Sequence, residues 1–254
     1  MSELERWQEE LRTYENRLKK RAKKERSVHN VDHLEVWTQT VDPFVIQFYE
    51  WFQSDRLQPS FQTGVKLETT DTAADRLEKE HLLQKDLARL RLFGLVQGGS
   101  SMYSTTTLLT QIPAILYVSR KAIDKISYFY QFQQEGETAE AILSLRLLLY
   151  TYLPDYAKYE EWESLKADSS HIDESEPMYL GKEDILSETI VIQMLKQVTR
   201  MYMYKHITQK KIPLKRLVLG TYQATLSYRH MQTVTEDAQM FYRKRWLANN
   251  QANF

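Results

Sequence analysis

The sequence predicts an all-α protein, a single bundle-like helical domain of about 8–10 helices with a glycine-rich hairpin at its centre. Three observations support this class. Apolar residues recur at intervals of three and four, runs of alternating β-branched residues are missing, and only seven Gly and six Pro interrupt 254 residues. With 42% hydrophobic residues, the chain can build a substantial core.

The N-terminal region, residues 1–69, is predicted to form amphipathic helices. Its first apolar face has spacings of three and four and consists of Leu4, Trp7, Leu11, Tyr14 and Leu18. Acidic residues lead this helix and a basic segment, Arg17–Arg26, ends it, as the helix dipole favours. Asp42 and Pro43 open a second helix, which stops before Pro59.

Residues 70–249 are predicted to form the larger helical domain. Its first helix runs from about Thr70 to Phe93 with Leu83, Leu87 and Leu90 on one face. The 28 residues from Leu92 to Ser119 then contain no Asp, Glu, Lys or Arg. Their many small and hydroxyl side chains let backbones approach closely, which predicts a tightly packed hairpin and not a plain membrane span.

Within this hairpin we expect one helix to end near Gln111 and Pro113 to open the next. The helix after Pro113 is predicted to bury one set of side chains: Ile115, Ala122, Ile123, Ile126 and Tyr130. A second set is predicted to turn mostly outward: Arg120, Lys121, Asp124 and Lys125.

The C-terminal half is predicted to contain four more helices. One spans 137–152, and an acidic surface loop follows over 166–182. A strongly periodic helix covers 190–202, and Pro213 opens another. Thr233–Glu236 is a capping-box pattern that starts the last helix, which ends near Asn249.

Overall composition excludes several classes of function. The 34 basic residues balance 34 acidic ones, which argues against a dedicated nucleic-acid binder. Cysteine is absent, so disulfides, thiol catalysis and thiolate metal sites are excluded. The acidic start, Met1–Glu5, has no apolar run, so we expect no secretory signal and a cytoplasmic location.

Two separated motifs resemble the EcsC family. The central one joins the glycine-rich stretch Phe93–Gly99, the Ile-Pro-Ala helix start within Gln111–Leu116 and the aromatic end of Ile126–Phe132. The second begins at Lys211–Pro213 and closes with Phe241–Leu247. The two motifs occur in the family's order and at about its separation, which makes the pair more specific than either motif alone.

The resemblance spans roughly residues 75–248 and implies a bacterial, mainly helical protein of a family with no settled biochemical activity. It also implies a role near the membrane, because the family's namesake is encoded beside an ABC transporter ATPase and its membrane subunit. The family often has acidic residues where this chain has Gln97 and Gln111. Any acid–base work by those carboxylates would therefore be missing here.

The glycine-rich stretch supplies the first candidate binding residues, Gly98, Gly99, Ser100 and Ser101, together with Gln111. Backbone N–H groups at a helix start attract phosphate. Close helix packing is nevertheless favoured, because no Lys-Ser/Thr pair follows as in a phosphate-binding loop. A hydrolase with a pocket at these residues is an alternative, although the final glycine of a nucleophile elbow is missing.

Metal ligands are sparse in the sequence. His29 and His33 stand four apart with Asp32 between them, but at a predicted helix break. Glu78 and His81 make one Glu-x-x-His pair, whereas di-iron bundles need two such pairs and two further glutamates. We therefore predict no metal site and no cofactor.

Two basic groups are candidates for contact with an anionic membrane surface. The first is Arg17–Arg26, for which a solvated helix end is the simpler explanation. The second consists of Lys210, Lys211, Lys215, Arg216, Arg243, Lys244 and Arg245. Of these, Arg243, Lys244 and Arg245 complete the candidate binding residues.

The preferred hypothesis is a non-enzymatic accessory protein, peripheral to the cytoplasmic face of the membrane, that binds lipid or ABC transporter subunits. The uncharged hairpin 92–119 would be its core, and the basic groups would supply electrostatic attraction. A soluble interaction module, pairing with a partner helix through the Leu4–Leu18 face, is the third hypothesis beside the hydrolase.

Overall fold

The structure, a computed structural model, describes residues 3–25, 65–68, 70–100, 105–132, 138–153, 155–173 and 216–250. These ranges contain six helices and no strand, which confirms the all-α class. The helices are α1 (Glu3–Glu25), α2 (Ala73–Ser100), α3 (Thr105–Phe129), α4 (Thr138–Tyr152), α5 (Asp155–Asp173) and α6 (Arg216–Asn250). The turn of the glycine-rich hairpin and the helices predicted after Asp42 and over 190–202 lie outside the described residues.

Helix α6 is the centre of the bundle, because it packs against each of the other five described helices. Its 35 residues run along α2 over the greatest length. The side chains that α6 buries in the shared core are Met231, Val234, Ala238, Phe241, Tyr242, Trp246 and Leu247.

The prediction that Thr233–Glu236 starts the last helix is wrong, since these residues lie in the middle of α6. The hydroxyl group of Thr233 donates to the carbonyl oxygen of Arg229 at 3.1 Å, and that of Thr235 donates to Gln232 at 3.0 Å. Threonine hydroxyls can bond to the preceding turn in this way without ending a helix. One long helix therefore replaces the two that were predicted.

Helix α1 confirms the N-terminal amphipathic helix. Trp7, Leu11, Tyr14 and Leu18 are all buried in the common core, and Leu4 packs against its edge. The helix lies mainly against α5 and also against α6. In this structure the Leu4–Leu18 face is therefore covered by the chain itself and is not open to a partner helix. The boundary between domains at residue 70 stays a prediction.

Helix α2 begins at a capping box. The Thr72 hydroxyl accepts from the Asp75 backbone N–H at 3.2 Å, and the Asp75 carboxylate accepts from the Thr72 backbone N–H at 3.1 Å. Leu83 and Leu87 are buried as expected, and Leu90 packs against the core. The helix continues to Ser100, seven residues past its expected end at Phe93.

Helix α3 differs from expectation in two respects. Pro113 does not open a helix but lies inside α3, which tolerates the loss of one backbone hydrogen bond. The predicted inner face, from Ile115 to Tyr130, is buried. However, Arg120, Lys121 and Asp124 are buried as well, so their predicted outward placement is wrong.

The reason for this burial is the position of α3, which packs against α2, α4 and α6. Its polar residues therefore meet neighbours instead of water. Arg120 Nε and the Asp124 carboxylate, one turn apart, lie 2.6 Å from each other. Lys125 is partly exposed and extends to Asp86 of α2 at 2.5 Å.

Helix α5 was not predicted, and its last part occupies residues 166–173 of the expected surface loop, so that loop can begin only after Asp173. Arg146 of α4 explains how this polar helix is held. Its guanidinium group contacts Glu161 at 2.6 Å and Ser164 at 2.7 Å, and it also pairs with Asp168. Charge pairing to α4 thus adds to the apolar contacts of Trp162 and Leu165, which α5 buries in the core.

Candidate functional site

The C-terminal candidates Arg243, Lys244 and Arg245 lie near the end of α6. Arg243 and Arg245 are only 3% and 4% exposed, so their guanidinium groups belong to the interior. Lys244 is half-buried and its Nζ pairs with Glu15 of α1. This part of the second basic group is therefore not a surface patch.

Arg243 joins three helices and the segment after α3. Its guanidinium group pairs with Glu10 of α1 and Glu80 of α2, and Nε donates to the Tyr130 hydroxyl at 3.2 Å. The group also lies 4.6 Å from the ring centre of Trp7. Burial by itself would lower the pKa of Arg243, but Tyr130, Glu80 and Glu10 together raise it above its ordinary value.

Arg245 forms a second buried cluster with Glu140 of α4. Its Nη1 lies 3.1 Å and 3.0 Å from the two oxygens of that carboxylate. The Tyr242 hydroxyl donates to Glu140 at 2.9 Å and the Ser127 hydroxyl at 3.3 Å, while the Phe132 ring centre lies 4.0 Å from the guanidinium carbon. Burial and the Glu140 charge raise the pKa of Tyr242 well above its ordinary value.

The third cluster joins α1, α4, α5 and α6. Lys158 Nζ lies 2.8 Å from the Asp237 carboxylate, and the Tyr14 hydroxyl donates to the same carboxylate at 2.7 Å. The Tyr14 and Tyr150 hydroxyl oxygens are also 2.7 Å apart. Burial, followed by the charge of Asp237, raises the pKa of both phenols.

These clusters are built to hold helices together. In each one a cation faces a carboxylate, and the raised pKa values keep the phenols protonated at neutral pH. A general acid or base needs a pKa near the working pH, which these phenols do not have. Their evident effect is to fix how α1 to α6 meet, because separating a buried pair leaves an uncompensated charge.

The glycine-rich candidates lie at the C-terminal end of a helix, whereas an anion binds at an N-terminal end. Gly98, Gly99 and Ser100 occupy the last turn of α2, and such a turn presents carbonyl groups, not N–H groups. Ser101 and the side chain of Gln111 lie outside the described residues. Binding by this set stays a prediction.

An exposed face of α2 is the most open feature of the described chain. Leu77 and Leu92 are both 55% exposed, Phe93 is 44% exposed and Leu82 is 40% exposed. Lys85, Ala88 and Arg89 are exposed on the same helix. Large apolar side chains at a surface, set among cations, are typical of a site that meets a partner or a membrane.

The model of the EcsC protein family matches residues 1–247. The chain belongs to the EcsC family. No curated protein and no solved structure matches it.

This EcsC match begins earlier in the chain than the two motifs do. The resemblance read from the motifs covers roughly residues 75–248, whereas the family match starts at residue 1 and includes α1. Its extent agrees with the packing, since α1 contributes Trp7 and Tyr14 to the core shared by α2 to α6.

Neither a metal centre nor a membrane span is evident in the part of this EcsC protein that the structure describes. Within it, no group of three or more His, Asp or Glu side chains is arranged to hold a metal ion. Glu78 and His81 are exposed on α2, and His29–His33 lies outside the described residues. None of the six helices is both long and apolar enough to cross a bilayer.

The exposed face of α2 was not predicted, although the sequence contains a signal for it. Leu83, Leu87 and Leu90 form the predicted buried face of this helix. Leu82, Leu92 and Phe93 fall off that face, so α2 has apolar residues on two sides. A helix with a second apolar side indicates a contact surface beyond its own core.

Proposed function

We propose that this EcsC protein is a non-enzymatic accessory protein that acts by binding at the inner surface of the bacterial cell membrane. The observation that carries the proposal is the position of the exposed apolar side chains. Among the described residues, all four large ones belong to α2, and Leu92 and Phe93 begin the 28-residue stretch that has no charge. An exposed apolar surface that leads into an uncharged segment suits contact with lipid.

The expected binding is weak and reversible. Burying a fully exposed Leu or Phe contributes about 1.5–3 kcal/mol, and these side chains are only about half exposed. Each Lys or Arg near an anionic surface adds about 1 kcal/mol. The cations available for this are surface residues such as Lys85 and Arg89, since Arg243 and Arg245 are enclosed.

A protein partner at the same surface is a second part of this proposal. The namesake of the EcsC family is encoded beside an ABC transporter, and this supports transporter or secretion subunits as partners of the present chain. A transporter subunit lies in the same membrane that this protein would contact. Binding to lipid can be measured on vesicles that contain no partner protein.

Vesicle flotation and native fractionation test the proposal. The full chain is mixed with vesicles that contain anionic phospholipid at low salt, and membranes of cells that express the native protein are fractionated in parallel. We expect the protein to float with the vesicles and to leave them as salt screens the attraction. Protein that stays in the soluble fraction in both experiments would refute the proposal.

A further inference from the structure

We infer that the part of the exposed α2 face from Leu82 to Phe93 is the lipid-contacting surface, and that it recognises anionic phospholipid. This surface, the α2 contact face, consists of Leu82, Lys85, Arg89, Leu92 and Phe93. The inference rests on the proposed function, and it adds which residues touch the membrane and which lipid charge they require.

The helix geometry places these five side chains together. Successive residues of an α-helix turn by roughly 100°, so the five fall within an arc of about 100°, with Leu92 at one edge and Phe93 at the other. At 1.5 Å per residue, the face is about 16 Å long. Along this strip, Lys85 and Arg89 therefore lie between Leu82 at one end and Leu92 and Phe93 at the other.

The strip carries positive charge and no acidic residue. Arg89 is 72% exposed and pairs with the Asp86 carboxylate of the same helix at 3.7 Å. Asp86 borders the strip, but Lys125 of α3 already contacts it at 2.5 Å. Glu78 lies a full turn before Leu82 on the same side. The field above the strip thus favours anions.

This charge pattern favours a lipid surface over a second copy of the chain. Two copies that met through the α2 contact face would bring Lys85 and Arg89 of one protomer against the same cations of the other, because a two-fold interface is self-complementary. An anionic membrane offers the opposite charge to the cations and apolar chains to Leu92 and Phe93. The uncharged residues that follow Leu92 add no charged group that would have to leave water.

The apolar part of the face is tested with a matched pair of variants. Leu92→Ser combined with Phe93→Ser should weaken partitioning onto vesicles of phosphatidylcholine and phosphatidylglycerol by at least about tenfold. Leu77→Ser is the control, because Leu77 is exposed to the same 55% as Leu92 but lies at the far end of α2. We expect it to change partitioning by less than about twofold.

The charged part has an equally close control. Arg89→Glu should weaken partitioning by about tenfold at low salt, since it reverses one charge at the lipid surface. Arg12→Glu reverses a similar charge on α1, where Arg12 is 75% exposed and lies 3.5 Å from a carboxylate three residues away. Circular dichroism and thermal melting should show the wild-type fold for all four variants, since only exposed side chains change.

The outcomes separate this inference from the proposed function. If the wild type binds vesicles and all variants bind equally well, the α2 contact face is wrong although the protein still binds membranes. Equal binding to pure phosphatidylcholine would overturn the requirement for anionic lipid. If the wild type does not bind vesicles but forms dimers that the Leu92/Phe93 variant loses, the face pairs copies of the chain and both statements fail.

Discussion

Substituting Glu140 by leucine tests whether the buried charges hold the bundle together. Glu140 is 5% exposed, and its carboxylate receives hydrogen bonds from Arg245, Tyr242 and Ser127. Arginine does not lose its proton in proteins, so Arg245 would stay charged inside the core without the Glu140 carboxylate. Removing one member of such a pair costs about 3–5 kcal/mol of the free energy of unfolding.

This loss is large compared with the total free energy of unfolding, which is only about 5–15 kcal/mol for a typical domain. It is measured by urea unfolding of the full chain, followed by far-ultraviolet circular dichroism at constant pH. Glu9→Gln is the control, since Glu9 and Arg12 form an exposed pair with 60% and 75% of their side chains accessible. We expect this control to change stability by less than about 0.5 kcal/mol.

A double substitution separates lost charge pairing from lost packing. Glu140→Leu together with Arg245→Met removes both charges and should cost less than Glu140→Leu alone, because neither charge of this pair then lacks its opposite in the core. The reasoning would be refuted if Glu140→Leu alone lost less than about 1 kcal/mol. Water would in that case reach Arg245, and the enclosed cluster would not exist.

Two further predictions concern α2 and α1. Thr72→Ala removes the hydroxyl group that caps α2 and that contacts both the backbone N–H and the carboxylate of Asp75. This substitution should lower the free energy of unfolding by about 1 kcal/mol in the same urea assay. An unchanged unfolding midpoint would contradict the cap. Burial of Glu15 opposes its ionisation, but hydrogen bonds from Lys244 and Trp162 outweigh burial and lower its pKa. The pKa of Glu15 is therefore lower in the folded protein than in the unfolded chain. Ionised Glu15 stabilises the protein at any pH above its unfolded pKa, and this stabilisation is lost as the pH falls through its folded pKa. Unfolding midpoints of Glu15→Gln between about pH 6 and pH 3 should therefore fall less steeply than those of the wild type, and parallel curves would contradict the assignment.

Apolar spacing predicted the helices whose packing is simple. The Leu4–Leu18 stripe in α1 and the face from Ile115 to Tyr130 in α3 are buried as expected, because a helix with one apolar side has one way to avoid water. Helix α5 escaped prediction because its buried side chains mix the apolar Trp162 and Leu165 with the polar Lys158 and Ser169, so no purely apolar stripe marks it in the sequence.

The candidate site was harder to predict, because exposure depends on neighbours that are distant in sequence. Three consecutive basic residues in the motif Phe241–Leu247 are typical of a surface patch, yet Arg243 and Arg245 are buried. Their carboxylate partners Glu10, Glu80 and Glu140 lie more than 100 residues earlier in the chain. Nothing local in the sequence marks these pairings.

By itself, the sequence determined the all-helical class, the kinship with the EcsC family and the stretch of 28 residues without charge. These depend on periodicity, motif order and composition, which are properties of the chain as written. Only the tertiary structure decided which charges are buried and which apolar residues of α2 stay in water. The physical reason is that burial is a property of packed surfaces, and the packing of α6 against the other five described helices exists only in the folded protein.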